Sequence, residues 1–106
     1  MEKFRYGKVP FDFAYTYDDL ETVTKYEAAE IELTIGLTDI EKLPMKERIK
    51  TVSKVLTKFV YDVLGETAVK KVLGDNPKIT KLIEFKNTLI LYVTNRMKAE
   101  NSAVLK

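Results

Sequence analysis

Hydrophobic and polar residues alternate at the start of the chain. Phe4 and Tyr6 flank Arg5, and Val9, Phe11 and Phe13 are separated by Pro10 and Asp12. Period two with aromatic enrichment predicts two half-buried strands. Gly7-Lys8 between them suits a two-residue turn with positive φ at its first position. Pro10 has no amide hydrogen for a ladder, so its strand must be an edge or be bulged there. A lone hairpin is marginal in water, so these rings need a helix face, a partner chain or both to cover them.

The period then changes. Asp18-Asp19-Leu20-Glu21 has capping-box spacing and predicts a helix starting near 16–18, with acids in the first turn to suit the helix dipole. Leu20, Val23, Ala28, Ile31 and Ile35 form its predicted core stripe, with Tyr26 on the flank. Glu21, Glu27, Glu30 and Glu32 populate the other side, and Gly36 suits a stop. One more turn fits Thr38 to Leu43, before Pro44, which sits well as the first residue of a second helix. In that helix Met45, Ile49, Val52, Leu56, Phe59 and Val63 recur at spacings of four and three, widened by Val55 and Val60. A short helix fits Thr67 to Leu73, closed by Gly74. Asn76-Pro77 reads as a cap and first residue of a last helix running to Lys98, with Ile79, Leu82, Ile83, Leu89, Ile90, Val93 and Met97 inward.

These elements predict a mainly α (α+β) fold: an N-terminal β-hairpin followed by a bundle of about four amphipathic helices. Its 106 residues suit one domain, with a hairpin arm over 1–15, the helical bundle over 16–98 and a frayed tail over 99–106. Each helix has an apolar side that must pack on something. Internal repeats, linkers and low-complexity tracts are absent from the sequence.

Composition narrows the chemistry. The chain has no Cys, no His and no Trp. Disulfides, thiolate nucleophiles, the commonest general base and the commonest transition-metal ligands are therefore missing from it. None of its four glycines belongs to a phosphate-binding GxGxxG or GxxxxGK[ST] pattern. Asp18 with Asp19, or Glu27 with Glu30 or Glu32, could be read as paired catalytic or metal-binding carboxylates; a helix cap and a solvated face account for them better. The expectation is a non-enzyme with no cofactor and no metal. The start shows no signal-peptide pattern and no apolar run approaches the roughly 20 residues of a membrane span, so the expected location is the cytoplasm.

Charge adds a second theme. Residues 1–45 hold five bases and ten acids, and residues 46–106 hold thirteen bases and six acids. A net charge of +2 thus hides oppositely charged halves, which suit head-to-tail association into rings or spirals. Lys46, Lys50, Lys54 and Lys58 fall four apart on the second helix. Such like-charge spacing costs roughly 0.2–0.5 kcal/mol per pair in an isolated helix. Three readings stay open for this row: a solvated face, a contact with an acidic protein surface such as the Glu row of the first helix, in the same or a neighbouring subunit, or nucleic acid. The last is disfavoured, because a base reader wants Arg, Asn and Gln, and the chain has three Arg and no Gln. The other unusual feature is the aromatic arm. Phe4, Tyr6, Phe11, Phe13, Tyr15 and Tyr17 either close the core or leave an aromatic docking edge for another protein.

Several of these segments resemble one family. Phe11-Asp12-Phe13, then Tyr17-Asp18-Asp19-Leu20-Glu21-Thr22, then Lys25-Tyr26-Glu27-Ala28-Ala29 is similar to the opening of small proteins encoded in the tail gene clusters of tailed phages and prophages. Phe59 to Thr67 and Lys70 to Gly74 resemble their long apolar helix, Gly-Glu turn and short Gly-closed helix. Such proteins resemble phage tail assembly chaperones. That resemblance implies a non-enzymatic protein in the cytoplasm of the infected cell. It would oligomerise, hold the tape measure protein in solution and recruit tail tube subunits. A tail structural or completion component kept in the particle is the nearest alternative, and a small nucleic-acid-binding regulator the next. The basic second half departs from the strongly acidic character common in the resembled family.

Overall fold

A tight turn at Gly7, with φ of 62°, joins two short antiparallel strands in the computed structural model of the chain. The structure describes residues 2–105, with side chains up to residue 103. Strand β1 (Arg5–Tyr6) pairs with β2 (Val9–Pro10), Arg5 opposite Pro10 and Tyr6 opposite Val9. Beyond Pro10 the ladder becomes irregular. Phe4 accepts from the Phe11 amide and donates to the Phe13 carbonyl, both at 2.9 Å, so Asp12 is pushed outward where it meets Lys3 at 3.0 Å. This two-residue offset lets Phe4, Phe11 and Phe13 all reach the core, which strict alternation with a regular partner would not require.

Helix α1 (Leu20–Leu37) is capped by Asp19, not Asp18. The Asp19 carboxylate accepts from the Thr22 amide at 3.2 Å and from the Thr22 hydroxyl at 2.6 Å, which holds its carboxyl below the usual range. A 3₁₀ turn (Ile40–Lys42) and Pro44, the residue just before the helix, lead into α2 (Met45–Leu64). Arg48 secures this corner: its guanidinium donates to the carbonyls of Ile40, Glu41 and Leu43 at 3.1, 2.7 and 3.1 Å. Gly65 and Gly74, at φ of 93° and 80°, bracket α3 (Glu66–Leu73). Helix α4 (Ile79–Leu105) starts later than the expected Pro77 and continues past the expected Lys98. Its first turn is anchored on the Lys78 carbonyl rather than on an Asn76 cap. The tail expected to fray is helical to Leu105, and Lys106 lies outside the described residues.

Helices α1 and α2 run antiparallel. Gly36 lies against Val55, Glu32 against Lys58 and Tyr26 against Phe59. Gly36 is no helix stop: a Cβ there would sit 2.8 and 2.9 Å from the two Val55 methyls, so glycine sets how closely the helices approach. The core centres on Leu56, Phe59, Val60 and Val63 of α2, with Leu82, Phe85, Leu89 and Val93 of α4 and Tyr26, Ala29 and Leu33 of α1. The extents of 49 × 29 × 19 Å describe an elongated molecule.

The predicted α1 stripe is overturned except at Val23, which packs against the core. Leu20, Ile31 and Ile35 are 75%, 61% and 68% exposed, and Ala28 is exposed too. The face that packs is Tyr26, Ala29, Leu33 and Gly36, roughly opposite on the helix. Leu and Ile in the first stripe outweighed Ala and Gly in the second, although close packing between helices favours the small residues. In α2 the stripe holds from Val52 to Val63, but Met45 and Ile49 are exposed. In α4 Ile83 is exposed, while Phe85, absent from the expected inward set, is fully buried.

Candidate protein-binding surface

The aromatic arm belongs to the core of the single chain. Phe4, Phe11, Phe13 and Tyr15 are buried and Tyr6 is half-buried. Phe85 is the reason: its ring lies 4.7, 5.7 and 5.9 Å from those of Tyr6, Phe11 and Phe4. Lys81 caps the outer ring of the group, its Nζ 5.2 Å from the Tyr6 centroid. Tyr92 adds a polar pin, donating from its hydroxyl to the Glu2 carbonyl at 2.6 Å and accepting the Tyr15 amide at 3.1 Å. Of the six rings expected to offer a docking edge, Tyr17 alone is exposed, and its hydroxyl donates to Asn101 at 2.8 Å. A docking edge of leftover rings is thus not what the hairpin presents.

The lysine row divides. All four side chains are exposed, but Lys58 is held between Glu32 of α1 and Asp62, each at 2.6 Å. Those two hydrogen bonds, the one to Asp62 foremost, raise its pKa above the ordinary lysine value. Of the three readings left open for the row, a contact with the Glu row of the first helix is made within the chain at this lysine alone. Lys46, Lys50 and Lys54 make no ion pair among the described residues. They run beside a second row, Ile49, Ser53, Thr57 and Tyr61, also four apart. That second row, with Lys50, Lys54, Lys58 and Asp62, lines an open, shallow depression along α2.

Helix α1 presents an unpartnered apolar feature of its own. At about 100° per residue, Leu20, Thr24, Ile31 and Ile35 fall on one stripe. Glu21 borders it on one edge and Glu27 on the other. Leu20, Ile31 and Ile35 are three large aliphatic side chains left in water on a helix whose opposite face is well packed. Isolated exposed hydrophobics are ordinary; an aligned row of them is less so.

The sequence held this surface but assigned it to the core. Other residues with clear roles carried no sequence signal at all. Arg96 donates to the Tyr15 carbonyl at 3.1 Å and bonds Glu100 at 2.8 Å. The Thr16 hydroxyl, the Tyr17 amide and Arg96 together hold the Glu100 carboxyl below its ordinary value. Apart from the Arg96–Glu100 pair, four apart on α4, these contacts join residues more than eighty positions apart, so local pattern could not reveal them.

Compared with family models, curated proteins and solved structures, the chain matches none. Among the described residues there is no group of three or more acids arranged to hold a metal ion, and no helix long and apolar enough to cross a membrane.

Proposed function

We propose that this protein is a non-enzymatic assembly factor that binds other proteins through the outer face of α1. The observation that carries the reading is the aligned exposure of Leu20, Ile31 and Ile35 on a helix already packed by its other side. Such a stripe accepts an amphipathic helix, apolar against apolar, and its Glu21 and Glu27 borders favour a partner with basic flanks. The sequence resemblance gives that partner a place. In this reading the chain is a phage tail assembly chaperone in the host cytoplasm, which holds the long helical tape measure protein and recruits tail tube subunits. A tape measure protein exposes apolar helical stripes until the tube surrounds it, and a stripe of matching kind is what a holder needs.

The reading expects a long helical tape measure protein to be encoded beside this chain, and the test is co-expression with it. The wild-type chain should co-purify with that protein and keep it in the soluble fraction. Ile31→Glu with Ile35→Glu should abolish both effects while the circular dichroism and melting temperature stay as in the wild type. A folded double variant that binds as well as the wild type would sink the reading.

A further inference from the structure

A row spaced by four residues winds about 40° round its helix at each step. The lysine row of α2 therefore changes neighbours along its length. Lys58 comes round to α1 and sits between Glu32 and Asp62, at 2.6 Å from each. Lys46, Lys50 and Lys54 stay on the outer side, without an ion pair among the described residues; Glu47 on the same helix pairs with none of them. Beside these lysines the surface is recessed. Ile49 is exposed and Tyr61 half-buried, and between them stand only Ser53 and Thr57, whose side chains are small. The two ends lie about 18 Å apart along the axis. Ser53 and Thr57 sit two positions either side of Val55, which packs on Gly36 of α1, so they project about 160° away from that contact. The result is a depression with an apolar residue at each end, small hydroxyls between, and Lys50 and Lys54 lining it.

We infer that this outer face of α2 is a second docking surface, built for an acidic amphipathic helix of another protein. Shape and charge together select that occupant. A lipid surface is met by apolar side chains that stand proud of the lysines, and here the middle of the face is recessed. A nucleic acid strand wants rings to stack on and Arg, Asn or Gln to read base edges. Tyr61 is the one ring lining the depression, it is half-buried, and none of those three residue types lines it. An amphipathic helix satisfies both features. A bulky aliphatic side chain seats over Ser53 and Thr57, between Ile49 and Tyr61, and carboxylates one turn away reach Lys50 and Lys54. The inference goes beyond the reading of α1 and stands apart from it. The two faces belong to different helices and are bordered by charges of opposite sign, so they select different partners.

Fluorescence anisotropy with a labelled synthetic helix, leucines on one face and glutamates along its borders, tests this. The intact chain should bind the peptide, less tightly as salt rises. A scrambled peptide of the same composition should bind about tenfold more weakly, because it presents no apolar face to the depression. Lys50→Glu with Lys54→Glu should weaken binding of the first peptide by about tenfold or more. Ser53→Gln with Thr57→Gln fills the depression without altering charge and should also weaken it, which attraction between charges alone would not produce. Ile31→Glu with Ile35→Glu, on α1, should leave the affinity as in the wild type. Circular dichroism checks that each variant is folded. Lys50 and Lys54 are exposed, so their variant and the scrambled peptide decide the matter even if the filled variant does not fold. Equal binding of the scrambled peptide overturns the inference, as does wild-type affinity in the lysine variant or in a folded filled variant. So does preferential binding of phosphatidylserine vesicles or of a single-stranded oligonucleotide. Loss of the peptide from the α1 variant places it on α1 and overturns the assignment to α2. If instead that variant keeps both the peptide and the helical partner of the co-expression test, the α1 reading fails and this inference stands.

Discussion

Gly36 shows how one missing carbon positions a helix pair. Glycine in a helix interior ordinarily costs up to about 1 kcal/mol relative to alanine, so Gly36→Ala should help if local propensity ruled. The Val55 methyls at 2.8 and 2.9 Å from the would-be Cβ oppose it, and valine is too stiff at χ1 to swing aside. Overpacking of this kind costs about 1–3 kcal/mol, which exceeds the propensity gain. Gly36→Ala should therefore destabilise the protein by about 1–2 kcal/mol in urea unfolding. In a Val55→Ala background the same change should be neutral or stabilising, because the obstruction has gone. Equal effects in both backgrounds would show that Gly36 does not set the approach of α1 to α2.

At the scale of elements, the hairpin behaves as part of the helical core. Phe11 is buried against Phe4 and Phe85, with ring centroids at 5.4 and 5.7 Å. Phe11→Ala should cost about 3–5 kcal/mol, a large share of the stability of a small domain. Tyr17→Ala, at an exposed ring, should cost far less. Comparable losses for the two in chemical denaturation would mean that the arm is held loosely and that its rings are not core. The hairpin, its Gly7 turn, the disturbance after Pro10 and the number of helices were legible because turn chemistry and period are local properties. The inward face of α1 was not, because it is made of Ala29, Leu33 and Gly36, whose value lies in letting α2 come close. Phe85 was legible in principle: Leu82, Phe85, Leu89 and Val93 stand three, four and four apart, and the inclusion of Ile83 obscured that row. For the binding surface, the lysine row was visible from its spacing. The α1 stripe was visible as a stripe, but its direction depends on which neighbour α2 chooses.

For the molecule as a whole, the first and last segments are tied by a small polar knot. Arg96 holds the Tyr15 carbonyl, and Glu100 gathers Thr16, the Tyr17 amide and Arg96. Tyr17 reaches Asn101 one residue further on. This knot is why α4 stays helical beyond Lys98, where composition alone suggested a free tail. It also makes part of the stability depend on acid. The Glu100 carboxyl titrates below its ordinary value of 4.5 in the folded chain, so in that acid range the unfolded chain binds more protons. The contribution is then complete above 4.5 and is lost as pH falls through the lower, folded value. Glu100→Gln removes the titrating group while keeping its shape. The variant should be less stable than the wild type at neutral pH, and the gap should close as the solution is acidified well below 4.5. Urea midpoints measured across that range decide it. A gap that stays constant with pH would mean that the carboxylate charge contributes nothing there, and that packing and the Arg96–Tyr15 and Tyr17–Asn101 hydrogen bonds hold the two ends together.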